Sequence, residues 1–209
     1  MIEVDLPSAR AVFSTRRGGV SDGPYESLNL GVLTDDEPAR VTENRRRLSE
    51  SVGLRPERVV LGMQVHGVEL REWPQPPPAP GFDVPDSRRD ELDRVDAHAT
   101  AVPALGLLIL SADCLPVALA SADRVAMLHC GWRGLAAGIV GRVAATFAEP
   151  PAAAIGPGIG GCCYEVGPEV LSQFDDLEGV ARGRMLDLRA VARRKLAAAR
   201  VERVEDVDL

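Results

Sequence analysis

The chain has three histidines, His66, His98 and His129, and four cysteines. Two of the histidines sit beside glycine, in QVHG and LHCGW, where apolar runs break off, and Cys114 lies between them in SADC at what reads as another strand end. Three such ends can converge on one rim of a sheet. Two imidazoles and a thiolate suit Zn²⁺, and three protein ligands leave a fourth position for water or substrate. Bound zinc would keep Cys114 as thiolate. The same atoms permit a second chemistry, with Cys114 as nucleophile and a histidine as its base. The two compete, because a metal-held thiolate is a weaker nucleophile. Asp113, next to Cys114, suits a carboxylate that orients a ligand or moves a proton. A plainer arrangement stands beside each. A cysteine in an apolar run is commonly a small core residue, a histidine beside glycine a turn residue, and an aspartate at a strand end a turn cap.

Other motifs are less specific. Residues 156–161 match GxGxxG after a strand-like run, but Cys162, Cys163 and Tyr164 follow where a helix should begin. No acidic partner is evident on a second strand, so a dinucleotide fingerprint is rejected. The glycines read as a tight loop, one that also lets backbone approach a ligand. Adjacent cysteines rarely bridge, so Cys162 and Cys163 read as structural or as pocket lining. Arg16-Arg17-Gly18-Gly19 and Asn44-Arg45 are local basic groups able to hold an anion, or else solvated surface charges.

These residues need a scaffold. The 209 residues suit one compact domain, and 45% apolar with 26% charged residues is globular composition. A net charge of −7 disfavours a general nucleic-acid binder. The N-terminus has no signal-like apolar run, and the apolar stretch 101–120 is interrupted by Asp113, Pro103 and Pro116. The expectation is a soluble, cytoplasmic protein with no membrane span, in which cysteines serve metal or catalysis before disulfides.

Strands are expected over 10–15, 58–65, 68–73, 105–110, 117–120, 125–128 and 152–155, with His66-Gly67 as a break. Helices are expected over 37–52 (capped by Asp36), 135–147, 169–174 and 188–201. Residues 74–90 contain six prolines and read as a loop. Strands interleaved with helices give an α/β (α+β) class, one domain over 1–209 with a mixed central β-sheet flanked by helices.

STRRGGVSDGPYESLNLG, QVHG, SADCLPV, LHCGWRGLAAGI and IGPGIGGCCYEVG, in that order, resemble the YfiH family, also known as laccase-domain or polyphenol oxidase proteins. The resemblance runs from about Phe13 to the helix at 188–200. It implies one α/β domain with a zinc site at a rim, held by His66, Cys114 and His129. The fold it implies is shared with the catalytic domain of certain Cys–His bacterial toxins. It also implies phosphorolysis of adenosine, inosine and methylthioadenosine, with adenosine deamination, and for some members peptidoglycan-precursor editing. Two departures stand out. Family members usually continue with a Ser-His-Arg-Arg-Asp-like segment and a final strand, neither of which is expected here. His98, in DAHAT, replaces an apolar residue; it reads as a strand-edge histidine or as an added ligand.

On this resemblance the first expectation is a zinc-dependent purine nucleoside phosphorylase. Cys114, His129 and Asp113 would be its catalytic groups, and Arg45 and Arg16 (or Arg17) would position phosphate. Asn29 would bind ribose or base. Its partners would be a purine nucleoside and phosphate, and it would be a monomer or homodimer. The alternatives are a metal-free Cys–His hydrolase, a peptidoglycan-precursor editing factor, a binding protein without catalysis, and a copper polyphenol oxidase. Three histidines cannot supply a multicopper centre, although Cu²⁺ could occupy the zinc position.

Overall fold

The computed structural model describes residues 1–31, 33–77, 82 and 92–207. Strands β1 (Ile2–Leu6) and β2 (Ala9–Phe13) form an antiparallel hairpin. Helix α1 (Pro38–Ser51) follows, then β3 (Val59–Val60), β4 (Leu70–Trp73), β5 (Ala97–Thr100) and β6 (Gly106–Leu107). Next come β7 (Leu115–Ala120), β8 (Val125–Cys130), α2 (Trp132–Ala136), α3 (Ile139–Ala144) and β9 (Ala152–Ile155). The chain continues with α4 (Pro168–Leu171), β10 (Ala181–Arg182), β11 (Met185–Leu186), α5 (Leu188–Ala198) and β12 (Val204–Asp206).

The central sheet is six-stranded and mixed, ordered β12-β9-β7-β8-β5-β4. Its two outer pairs are parallel and its inner pairs antiparallel. All six residues of β7 are buried. That explains its unbroken apolar run, since it has packing on both faces. Leu115, Val117 and Leu119 meet the helices through Leu128, Leu135, Ile139 and Val191. Ala118 and Ala120 face the other way, against Leu6, Ala11 and Phe13 of the hairpin.

The structure corrects several boundaries. The strands expected over 58–65 and 105–110 shrink to the two-residue parallel pair β3–β6. Beyond it, the Gln64 side chain donates to the Leu110 carbonyl (2.7 Å) and accepts from its N–H (2.8 Å), replacing the bonds of a strand neighbour. The helix expected over 135–147 is two short ones, α2 and α3, separated by Gly138 in the left-handed region (φ 87°). Asp36 does not cap α1. Glu37 holds that position without a side-chain bond, and the Asp36 carboxylate accepts from Ser21 Oγ (2.6 Å) and Asn29 Nδ2 (2.9 Å). Five strands lie outside the expected spans: β1, β5, β10, β11, and β12, where no strand was expected after the last helix. Most of the 74–90 loop lies outside the described residues; Phe82 within it is buried with Leu30, Leu48 and Leu61. Among the described residues, no helix is long and apolar enough to cross a membrane.

His98 is not at an edge. It lies on β5, between β8 and β4, and is fully buried. Its Nδ1 accepts from Trp73 Nε1 at 3.2 Å. Burial pushes its pKa down to about 4, so the fold keeps it uncharged where an unfolded histidine, near 6.5, takes up a proton. Stability therefore falls as pH drops from 6.5 towards 4, by on the order of 3 kcal/mol. His98→Asn, which keeps an acceptor for Trp73 but cannot titrate, should flatten that dependence. Urea midpoints at pH 7 and pH 5 measure it, and equal slopes for the two proteins would refute the assignment.

Candidate metal centre

Antiparallel pairing of β7 with β8 sets the start of one beside the end of the other, with Leu115 opposite Cys130 and Pro116 opposite His129. Cys114 thus precedes a strand rather than ending one, but it lies on the same rim as His129. The β5 strand pairs with β8 on the other side, and the His129 N–H donates to the Asp96 carbonyl at 2.8 Å just before β5 begins. His66 comes from the loop that leads into β4. Ligand atoms of His66, Cys114 and His129 lie within 4.8 Å of one another. The His66 and His129 rings meet edge-on with centroids 4.8 Å apart. Drawing in by about 1 Å would place such donors around one tetrahedral ion at Zn–N ≈ 2.0–2.1 Å and Zn–S ≈ 2.3 Å. The donor set therefore fits a metal ion with one position left open.

The group that organises this rim is Asp96, which the sequence reading passed over. Its carboxylate is fully buried. It accepts from three successive backbone N–H groups, those of Val65 (3.1 Å), His66 (2.9 Å) and Gly67 (2.7 Å). It also bonds His129 Nδ1 at 2.8 Å, which leaves Nε2 for the centre. Burial opposes the Asp96 charge, but the bonds from His129, Gly67 and Val65 outweigh it and hold its pKa below the ordinary value. His66 has φ 60°, a left-handed conformation uncommon outside glycine. The Asp96 bonds hold the loop in that shape. His129 feels burial against its charge, yet the bonds to Asp96 and Cys114 win and raise its pKa to about 9 without a metal. For His66, burial and then the neighbouring His129 lower it. The signal for Asp96 was an acidic residue in the otherwise apolar lead-in to a buried strand, in VDAHAT.

The other expected residues divide. The trio opens onto a cleft of about 1510 Å³ that Asp113, Arg16 and Asn29 also line. The Asp113 carbonyl anchors the glycine loop through the Ile159 N–H (2.8 Å). Arg16 is exposed, with Nε on the Glu26 carbonyl at 2.6 Å. Asn29 is committed to its own loop: its amide nitrogen donates to Thr34 and Asp36 and its oxygen accepts from Gly31. Arg45 is buried, with its guanidinium on the carbonyls of Leu30 and Gly31 and over the Phe82 ring. Its charge supports the loop that forms one wall of the cleft. His98 is not part of the trio. Cys162 and Cys163 are exposed, with sulfurs 2.8 Å apart.

Fold and rim together define a mixed α/β domain that gathers two histidines and a cysteine at one end of its sheet. A sequence model of the family described as "Multi-copper polyphenol oxidoreductase laccase" matches residues 10–209. The chain belongs to that laccase-like family, the YfiH proteins. A purine nucleoside phosphorylase of Pseudomonas aeruginosa is 38% identical over 90% of this chain and 77% of its own length. The purine nucleoside phosphorylase YfiH of Escherichia coli is 36% identical, over 93% of this chain and 80% of its own. The crystal structure of YfiH from Bacillus licheniformis superposes with a TM-score of 0.82 at 26% identity, covering 93% of this chain and 79% of that one.

Gly131 tests the centre without touching a ligand. A Cβ there would stand 2.8 Å from Cys114 Sγ and 3.2 Å from His66 Cδ2. Gly131→Ala should weaken Zn²⁺ or Co²⁺ uptake by about 10–100-fold, the size expected for a disturbed supporting shell. Gly141→Ala, in α3 with nothing within 4 Å of its Cβ, should leave uptake unchanged and add up to about 1 kcal/mol of stability. Equal metal affinity in the two variants would show that the trio does not bind the ion.

Proposed function

We propose that this chain is a zinc-dependent purine nucleoside phosphorylase of the cytoplasm. Its substrates would be adenosine, inosine and methylthioadenosine, with adenosine deamination as a second reaction. The observation that carries the reading is the His66–Cys114–His129 trio, preorganised by Asp96, at the mouth of a cleft large enough for a nucleoside. The names of the relatives supply the reaction class. Phosphorolysis passes through an oxocarbenium-like state, so catalysis requires a held sugar and a stabilised leaving base. Zinc, when bound, supplies a Lewis acid at the cleft mouth.

The remaining work belongs to side chains. His129, locked by Asp96, presents Nε2 in a fixed direction, and His66 stands edge-on beside it. Asp113 is exposed on the cleft wall, where a carboxylate can exchange a proton with the leaving base. Arg16 offers N–H donors to a polar group of the substrate from the same wall.

A second reading rests on one further feature. Cys114 stands beside His129 in the trio, and His129 Nδ1 is bonded to the Asp96 carboxylate. That is also the order of a Cys–His hydrolase, a metal-free enzyme. It would act on an amide or a peptidoglycan precursor. Copper oxidation by a multicopper set has no support, because three histidines in the chain are too few.

Elemental analysis of the purified protein, paired with an inosine-plus-phosphate assay before and after chelation, separates these readings. Near-stoichiometric zinc is expected, with hypoxanthine release lost on chelation and in Cys114→Ser. Metal-free protein that turns nothing over would overturn the reading. Activity that survives chelation but not thiol alkylation would transfer it to the hydrolase.

A further inference from the structure

Asp96 ties His66 to His129 through its bonds to the 65–67 loop and to one imidazole. Those bonds leave Cys114, the third member of the trio, to be placed by other means. Cys114 rides on the turn before β7, and a sulfur ligand tolerates little displacement. A shift of about 1 Å would take it out of a Zn–S bond of ≈ 2.3 Å.

The backbone that leads to the two ligand loops parts company after the β3–β6 pair. The Leu108 N–H still donates to the Val60 carbonyl at 3.0 Å. The 61–63 segment then turns to its other side, where the Met63 N–H donates to the Asp93 carbonyl (2.8 Å) and its carbonyl accepts from the Val95 N–H (3.1 Å). Across the gap, the Gln64 side chain bonds both backbone groups of Leu110, at 2.8 Å to the N–H and 2.7 Å to the carbonyl. A primary amide can do this because it carries an acceptor and a donor side by side, as a peptide group does. Ser111, the next residue, passes the restraint on, since its Oγ donates to the Cys114 carbonyl at 2.6 Å. From the opposite side the Ile159 N–H holds the Asp113 carbonyl at 2.8 Å. Gln64, His66, Leu110, Ser111 and Cys114 all line the one cleft.

We propose that Gln64, acting through Leu110 and Ser111, is a positioning residue that sets the Cys114 sulfur in register with His66. The His66 loop is then the hub of two hydrogen-bonded ties. Asp96 runs from it to His129, and Gln64 runs from it to Cys114. The inference depends on the trio and not on which reaction the trio performs. A metal ion needs the sulfur in register with two imidazoles, and a thiol nucleophile needs the same register with its base.

The test titrates the full chain with Co²⁺, which gives a visible absorption in a tetrahedral site and a near-ultraviolet sulfur-to-cobalt band when a thiolate is bound. Gln64→Met keeps the length of the side chain and removes the amide. Its Co²⁺ affinity should fall about 10–100-fold, with the sulfur band weakened more than the visible one, because Cys114 leaves before the imidazoles do. Gln64→Glu keeps the acceptor for the Leu110 N–H but sets a carboxylate oxygen against the Leu110 carbonyl, so it should not rescue. Ser111→Ala, at an exposed position, should weaken uptake about tenfold by itself. The double variant should lose less than the product of the two single losses, because both residues act on one path. Parent-like affinity and sulfur band in Ser111→Ala, or in a folded Gln64→Met, would overturn the proposal. Losses that simply multiply would overturn it too, making Gln64 and Ser111 separate supports. In metal-free protein, alkylation of Cys114, followed by peptide mass mapping, should be severalfold faster in Gln64→Met than in the parent. A parent that takes up no metal but shows that acceleration would keep the tie and remove the zinc reading. A parent that takes up no metal and shows no acceleration would remove both.

Discussion

One buried carboxylate holds the active rim together. Asp96 accepts three backbone N–H bonds and bonds one imidazole, all within 3.1 Å. A buried carboxylate costs several kcal/mol to desolvate, and only a full set of partners offsets that. Here the partners come from the loop before β4 and from the end of β8, so the charge joins parts of the chain that are far apart in sequence. It also holds the left-handed backbone at His66. If Asp96 loses its charge, three donors and a histidine lose their common partner at once. The ligand geometry, the tautomer of His129 and the course of the 65–67 loop therefore rise or fall together.

Close approach is the second constraint. Three glycines sit where any side chain would collide with the centre or its supports. Gly131 faces Cys114 Sγ, Gly134 the Gly67 carbonyl, and Gly158 the carbonyls of Asp113 and Cys114, at 2.9 and 3.2 Å from the place of a Cβ. The glycine-rich loop that resembles a nucleotide fingerprint is thus a spacer. It allows backbone to lie against the turn that carries Asp113 and Cys114.

The third element is the polar platform on one side of the cleft. Asn44 is fully buried and joins Val20, Ser21 and Asn29. Asp36, Asn29 and Arg45 complete it. Residues of these types attract a reading as substrate contacts. Within the fold they satisfy one another, because a loop carrying this much buried polarity is stable only if its groups are paired. Together they hold the loop that carries Leu30 and Gly31, part of the cleft wall.

The sequence by itself determined the α/β class, the buried strands β7 and β9, the break at His66-Gly67 and the His66–Cys114–His129 set. Those follow from apolar periodicity and from rare residue types in distinctive strings, which are local properties. Tertiary structure alone decided that Cys114 begins a strand yet shares a rim with the end of β8, because antiparallel pairing brings those points together. It alone showed that Asp96, not Asp113, orients the histidines, since the bonds that define it come from residues about thirty positions away. It also showed that Asn29 and Arg45, expected to hold substrate, hydrogen-bond within the protein. A polar side chain carries the same letter whether it faces solvent, a ligand or a carbonyl, and only the packed chain decides which.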